Sequence, residues 1–186
     1  MQSGKDPAPP PVLLVMGVSG SGKTTVGSLL AGRLGWTYAE ADAFHPPANI
    51  AKMHAGHPLT DADRVPWLDA IGAWIDKTTA ERQPAVVTCS ALKRSYRERL
   101  RAGRPHVTVI YLDADPDTVR TRLAAREGHF FPPQLLDSQF RDLEPPAPEE
   151  GIERVPVSLE VTSVQIVQRL LDEHAAAWSA WTAGAA

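Results

Sequence analysis

Apolar residues change period several times along this chain, and each change marks an element. Val12-Leu13-Leu14-Val15-Met16 is continuously apolar and ends at a glycine, the pattern of a strand buried on both faces. From Lys23 the spacing becomes helical: Val26, Leu29, Leu30 and Leu34 recur, and Gly35 closes the segment. Residues 37–41 predict a second strand and 46–56 a short helix with Pro46 near its first turn. Thr60-Asp61 opens a longer helix with Trp67, Ile71, Trp74 and Ile75 on one face. A third strand is predicted over 85–89, then a helix carrying Leu92, Tyr96 and Leu100, then a fourth strand over 107–112. Asp115-Pro116 supplies the cap and first turn of a helix with Val119 and Leu123. Residues 128–151 break the rhythm with five prolines around an apolar, partly helical centre (Leu135, Leu136, Phe140, Leu143), which suits a lid or binding segment. A weak strand over 155–161, interrupted by Pro156, precedes a last helix with Val164, Val167, Leu170 and Leu171. Strands alternating with helices predict an α/β fold, a parallel sheet covered on both faces.

Composition narrows the class. At roughly 150 residues per domain, 186 residues point to one domain, expected over 12–182, after a proline-rich flexible tail over 1–11. With 43% hydrophobic residues the chain can bury a sizeable core without disulfides or a structural metal. A net charge of −3 argues against a broad basic face for nucleic acid. Cys89, the single cysteine, excludes an internal disulfide framework. No apolar run approaches the ~20 residues of a membrane span, and the start lacks a signal-peptide pattern. The expected setting is the cytoplasm.

Gly17-Val18-Ser19-Gly20-Ser21-Gly22-Lys23-Thr24 fits G-x-x-x-x-G-K-S/T in full, directly between a buried strand and a helix. Glycines let successive backbone N–H groups turn inward on phosphates, and the helix N-terminus adds a positive dipole. Lys23 is expected to reach the β- and γ-phosphates of ATP and the Thr24 hydroxyl to bind Mg²⁺. Thr25 completes the nucleotide-binding stretch. The chain has no N-K-x-D base-reading motif, and its D-x-x-G, Asp69 to Gly72, falls on the exposed side of a helical pattern. Asp113 ends a hydrophobic strand, either as a metal-binding acid or in a local turn. Small size, a phosphate loop and a proline-rich lid favour a phosphotransferase over a motor or switch.

The second strand runs into Glu40-Ala41-Asp42-Ala43-Phe44-His45-Pro46. Ligands of doubly wound sheets sit beyond the carboxyl ends of the strands. Two carboxylates at i, i+2 share a face there, so one can hold a metal-bound water while the other accepts a proton; two ordinary surface acids would show the same spacing. Arg64 either pairs with Asp61 and Asp63 on the surface or forms a planar fork for a substrate carboxylate, with Lys52 a second candidate. His45 can hydrogen-bond a polyol or simply pack. Ser90 can touch the metal shell or the substrate, and Lys93 and Arg97 can meet substrate or phosphate oxygens. Arg122 and Arg126, at i, i+4, can clamp the γ-phosphate when the lid closes, stack on adenine, or form a plain charged face.

Together G-V-S-G-S-G-K-T at 17–24, D-A-F-H-P at 42–46, L-T-D-A-D-R-V-P-W-L at 59–68, C-S-A-L-K-R-S-Y-R at 89–97 and A-R-E-G-H-F at 125–130 closely resemble the small ATP-dependent gluconate kinases. The resemblance covers residues 12–143. It implies a three-layer P-loop NTPase fold with a five-stranded parallel sheet in the order 2-3-1-4-5 and a lid over about 128–150. It further implies phosphorylation of the 6-hydroxyl of D-gluconate, ATP as co-substrate with Mg²⁺, and a homodimer. Carried over by position, Asp42 orients and deprotonates the hydroxyl and Glu40 stands near the Mg²⁺ shell, where the family often has Asp. His45, Lys52, Arg64, Ser90 and Lys93 fall on the substrate side. Shikimate and nucleoside-monophosphate kinases share the fold and loop but not the D-x-x-H-P and C-S-A-L-K segments. A non-catalytic nucleotide-dependent regulator would have no need of a proton acceptor such as Asp42.

Overall fold

The computed structural model describes residues 8–125 and 133–182. Five parallel strands form one sheet in the order β2-β3-β1-β4-β5: β1 Val12–Met16, β2 Thr37–Glu40, β3 Ala85–Thr88, β4 Val107–Ala114 and β5 Glu153–Val157. The helices are α1 Lys23–Leu34, α2 Pro47–His54, α3 Asp61–Ala80, α4 Arg94–Arg101, α5 Pro116–Ala124, α6 Pro133–Asp142 and α7 Ser163–Trp178.

The unbroken apolar run of β1 puts it at the centre. Val12 lies opposite both Ala85 of β3 and Val107 of β4. Alternate residues serve opposite layers: Leu13 and Val15 pack with α1, α5, α6 and α7, whereas Val12, Leu14 and Met16 pack with α3 and α4. Thr60 and Asp63 form the capping box that starts α3, and Asp115 caps α5 through the Asp117 and Thr118 N–H groups.

Three expectations need adjustment. The last strand lies at 153–157 rather than 155–161, with Pro156 inside it and opposite Asp113. β5 is an edge strand, where a residue without an N–H costs no ladder bond if that side faces away from β4. Of the expected tail, residues 1–7 lie outside the described residues. Residues 8–11 run along the sheet, with Pro10 buried, the Ala8 carbonyl accepting from Arg82 and the Pro11 carbonyl accepting from the Ala85 N–H. Arg97 does not face a substrate or phosphate. Its side chain is 1% exposed and grips Glu150 through two bonds of 2.7 and 2.8 Å. Its remaining Nη1 donates to the Leu92 and Ala91 carbonyls at 2.9 and 3.3 Å.

A buried ion pair that loses one partner leaves an uncompensated charge, so Arg97→Ala or Glu150→Ala is expected to cost on the order of 3–5 kcal/mol in urea unfolding. The Arg97→Met/Glu150→Leu double variant should lose less than the sum of the single losses. A loss below about 1 kcal/mol, the range of exposed pairs, would remove the structural role assigned to this pair. Arg97 also holds the Glu150 carboxyl below its ordinary 4.5. The pair's contribution is therefore complete above that pH and declines as pH falls through the lower folded value.

Candidate active site

The phosphate loop turns between β1 and α1 through residues 17–22. Gly22, the N-cap of α1, has φ 104°, a left-handed conformation that side-chain-bearing residues avoid. A Cβ on Gly17 would stand 2.9 Å from the Leu112 carbonyl, so the strand end and the loop meet only because glycine is there. Lys23 folds back and donates to the Val18 carbonyl at 3.0 Å. Above the loop lies α6, whose Gln139 accepts from the Ser19 N–H at 2.7 Å and donates to Ser19 Oγ at 2.9 Å. Gln139 went unnoticed in the sequence because a single neutral amide in a helix carries no motif.

Across from the loop, the end of β2 presents the two acids. Tyr38, two residues before Glu40 and on the same face, donates its hydroxyl to Glu40 at 2.9 Å. Burial, reinforced by Glu40, pushes the Tyr38 phenol up to about 12, so it stays a donor and anchors that carboxylate. Asp42 sits in a 3-10 turn, Ala41–Phe44, whose Ala41 carbonyl accepts from the buried indole Nε1 of Trp67 at 2.7 Å. The same indole stacks on His45, with ring centroids 4.5 Å apart and planes 11° apart. Burial lowers the His45 pKa; nearby Asp42 opposes that and Arg64 adds to it. Sequence periodicity placed Trp67 on a core face but gave no sign of this second duty.

Lys23, Thr24, Glu40, Asp42, His45 and Ser90 line one cleft of about 500 Å³, with Met53 of α2 and Leu135 of α6 on its walls. Thr24, Glu40, Asp42 and Ser90 bring only oxygen donors. That set suits a hard divalent cation held by one or two carboxylates together with phosphate oxygens. Cys89 lines the same cleft, but burial pushes its thiol up to about 12, so it is an uncharged wall.

The three cations expected on the substrate side lie in an outer ring around the N-terminus of α3. Lys52 pairs with Asp63 at 2.5 Å, and this pairing, ahead of the capping bonds from Thr60, holds the Asp63 carboxyl at about 2. Lys93 pairs with Asp61 at 2.8 Å, and Asp61 also accepts from the Tyr96 hydroxyl. Arg64 rests against Tyr96, its Cζ 5.6 Å from the ring centroid and Nη1 3.4 Å from the hydroxyl. Among the described residues Arg64 makes no ion pair, because the two lysines hold the acids beside it.

Arg122 reaches the site by a different route from a phosphate clamp. Its guanidinium donates to the Ser21 carbonyl at 3.2 Å and to the Ser158 and Val161 carbonyls at 2.8 and 3.2 Å. It therefore ties the phosphate loop to the segment after β5. Arg126 and the expected lid entry at Gly128-His129-Phe130 lie outside the described residues. Asp113 accepts from the Tyr111 hydroxyl at 3.0 Å and pairs across the strands with Arg154 of β5 at 2.7 Å.

A parallel sheet in this order, with its phosphate loop after the central strand and acids beyond the neighbouring strand end, defines a P-loop kinase of small molecules. A family model described as an AAA domain matches residues 12–146. The gluconokinase of Gluconobacter oxydans is 51% identical over 146 residues, which is 78% of this chain and 82% of that one. A solved sugar kinase from Janibacter sp. superposes with TM-score 0.82 at 42% identity, covering 94% of this chain and 100% of the other. A gluconokinase structure from Sinorhizobium meliloti gives TM-score 0.79 at 43% identity, covering 91% and 94%. The chain belongs to the gluconokinase family.

With its donors on three carbonyls, Arg122 should matter first for nucleotide affinity. Arg122→Ala is expected to raise the ATP Kd by roughly tenfold, the loss of one or two charge-assisted hydrogen bonds, as measured by calorimetry. A fall in kcat at unchanged ATP affinity would return Arg122 to the transferring phosphoryl group.

Proposed function

We propose that the protein transfers the γ-phosphoryl group of ATP to the 6-hydroxyl of D-gluconate, giving 6-phosphogluconate and ADP. The observation that carries this is one cleft holding both the phosphate loop and the Asp42–His45 turn, with an arginine free of ion pairs among the described residues just outside it.

The nucleotide phosphates bind along 17–24, where backbone N–H groups and the start of α1 supply positive potential. Lys23 supplies a mobile charge for the β- and γ-phosphates. Arg64 offers the planar fork that a sugar-acid carboxylate accepts in two parallel bonds. With that end anchored, the far hydroxyl of the polyol is directed at the phosphate loop. Asp42 orients this hydroxyl and takes its proton as the O–P bond forms and the bond to the β-phosphate oxygen breaks. Placement supplies much of the rate, because the loose transition state asks for alignment and charge neutralisation rather than covalent help. Thr24, with Glu40 through water, fits Mg²⁺, which when bound neutralises phosphate charge. Of the expected lid, α6 lies over the phosphate loop, where Gln139 meets Ser19, and helps exclude water, a competing acceptor, whereas residues 144–150 are pinned by Glu144 and Glu150 and do not swing. The family resemblance also supports a cytoplasmic homodimer.

The decisive assay couples ADP release to MgATP with gluconate, shikimate, AMP, CMP, glucose or no acceptor. Turnover with gluconate is expected to dominate; turnover with another acceptor sinks the acceptor-side assignments while keeping the nucleotide site. Asp42→Asn is expected to lower kcat by about 10²–10⁴-fold, the usual worth of a general base, with ATP affinity within a few fold. Arg64→Ala should raise the gluconate KM by far more than the ATP KM. Equal effects on both would make Arg64 a structural residue.

A further inference from the structure

Asn49 is buried on the first turn of α2 while Ala48 and Ile50 on either side are exposed. A buried carboxamide needs partners, and its two ends are chemically distinct. One end lies 2.8 Å from the backbone carbonyl of Asp63 and 3.4 Å from Nδ1 of His45. A carbonyl only accepts, so the atom facing it is the amide nitrogen rather than the oxygen. That nitrogen has a second hydrogen, which serves Nδ1. A ring nitrogen facing an N–H must be the acceptor, and in a neutral imidazole the proton then resides on Nε2.

Other contacts fix the ring's place and favour its uncharged form. Trp67 fixes its plane by stacking. The Asn49 backbone N–H donates to the Pro46 carbonyl at 2.9 Å, which ties the turn carrying His45 to α2. Burial favours the uncharged ring; Asp42 from the 3-10 turn pulls the other way and Arg64 from α3 supports burial.

We infer that Asn49 is a positioning residue that holds His45 as the Nε2–H tautomer, so that the ring donates a hydrogen bond to a sugar hydroxyl oxygen and leaves proton acceptance to Asp42. The inference rests on the acceptor-site reading proposed above and divides the labour within it. Were the proton on Nδ1, the bare Nε2 would compete with Asp42 for the substrate proton. With the proton on Nε2, the two side chains make complementary demands on the acceptor: one gives a hydrogen and the other takes one.

Long-range proton–nitrogen correlation spectra of the ¹⁵N-labelled full chain read the tautomer directly, with His45→Gln identifying the His45 signals. A pyridine-like Nδ1 and a pyrrole-like Nε2 are expected in the wild type near neutral pH; the reverse pattern, or a charged ring, overturns the inference. In Asn49→Asp the carboxylate accepts from the ring, so the proton should move to Nδ1 and the gluconate KM should rise roughly three- to tenfold, the worth of one hydrogen bond. The ATP KM should stay within about twofold in that variant. Because Asn49→Asp removes a buried donor and can fail to fold, a second pair decides independently. His45→Gln places an amide nitrogen where Nε2 was and should keep more gluconate affinity than His45→Asn, which mimics Nδ1. Equal losses in that pair overturn the donor role. Absence of gluconate turnover in the wild type overturns the acceptor-site reading and the sugar contact with it, whereas an Nδ1-protonated ring in a fully active enzyme overturns the role of Asn49 alone.

Discussion

A guanidinium removed from water needs an acceptor for nearly every donor, and Arg97 imposes that need on the acceptor side of the sheet. Glu150 answers it from the turn Pro148–Glu150, and the carbonyls of Ala91 and Leu92 answer it from the loop after β3. Ala91 is fully buried with φ 43°, a conformation that costs a non-glycine residue about 1–2 kcal/mol, and its carbonyl is turned to the arginine. The segment leading to Glu150 is fixed along its length: the Glu144 N–H donates to the Leu92 carbonyl at 3.0 Å, and its carboxylate accepts from the Arg94 N–H at 2.6 Å. Arg101 closes the arrangement on the Glu150 carbonyl at 2.6 Å. The same loop gives the Ser90 carbonyl to the Gly17 N–H, so the first residue of the phosphate loop is registered against the strand end that carries Ser90.

The charges around the site follow from helix capping as much as from ligand binding. Asp63 caps α3 through Thr60, and its remaining capacity is taken by Lys52. Asp61, in the same first turn, is taken by Lys93 and Tyr96. Acids are favoured at that helix end, and the two lysines neutralise them in turn. Arg64, one turn further along, faces an aromatic ring and a hydroxyl instead of a carboxylate. Among the described residues, a chain of net charge −3 thus keeps a guanidinium without an ion pair here because the acids beside it are already taken by lysines.

Most of the fold was legible in the sequence because period and punctuation act locally. The run 12–16, short, continuously apolar and closed by glycine, reads as a strand buried on both faces, and Thr60–Asp61 reads as a helix start. The bounds of β5 were not legible, because where an edge strand starts and stops depends on its pairing with β4 through Ile110 to Ala114, and strand neighbours are not a local property. The nucleotide half of the site was equally plain, since its glycines, Lys23 and Thr24 are contiguous. The cations were harder to read. Arg97 meets a partner 53 residues away and Lys93 one 32 residues away, and no spacing rule reaches so far. Asn49, Gln139 and the second duty of Trp67 were not legible for another reason: each acts through a neutral polar atom, and nothing in charge or periodicity marks it.

Gln139 shows what such atoms contribute once the fold is assembled. α6 is anchored just past its C-terminal end, where the Glu144 N–H joins the loop after β3 at the Leu92 carbonyl. From α6 the Gln139 side chain meets Ser19 with both ends of the amide, the oxygen on the backbone N–H and the nitrogen on the hydroxyl. Phosphate loops bind anions with backbone N–H groups of this kind, and one N–H serves one acceptor well. Any acceptor brought to the Ser19 N–H would therefore compete with the Gln139 amide oxygen for that donor. The phosphate loop and α6 are thus joined at Ser19 by two hydrogen bonds, one to its backbone N–H and one to its hydroxyl.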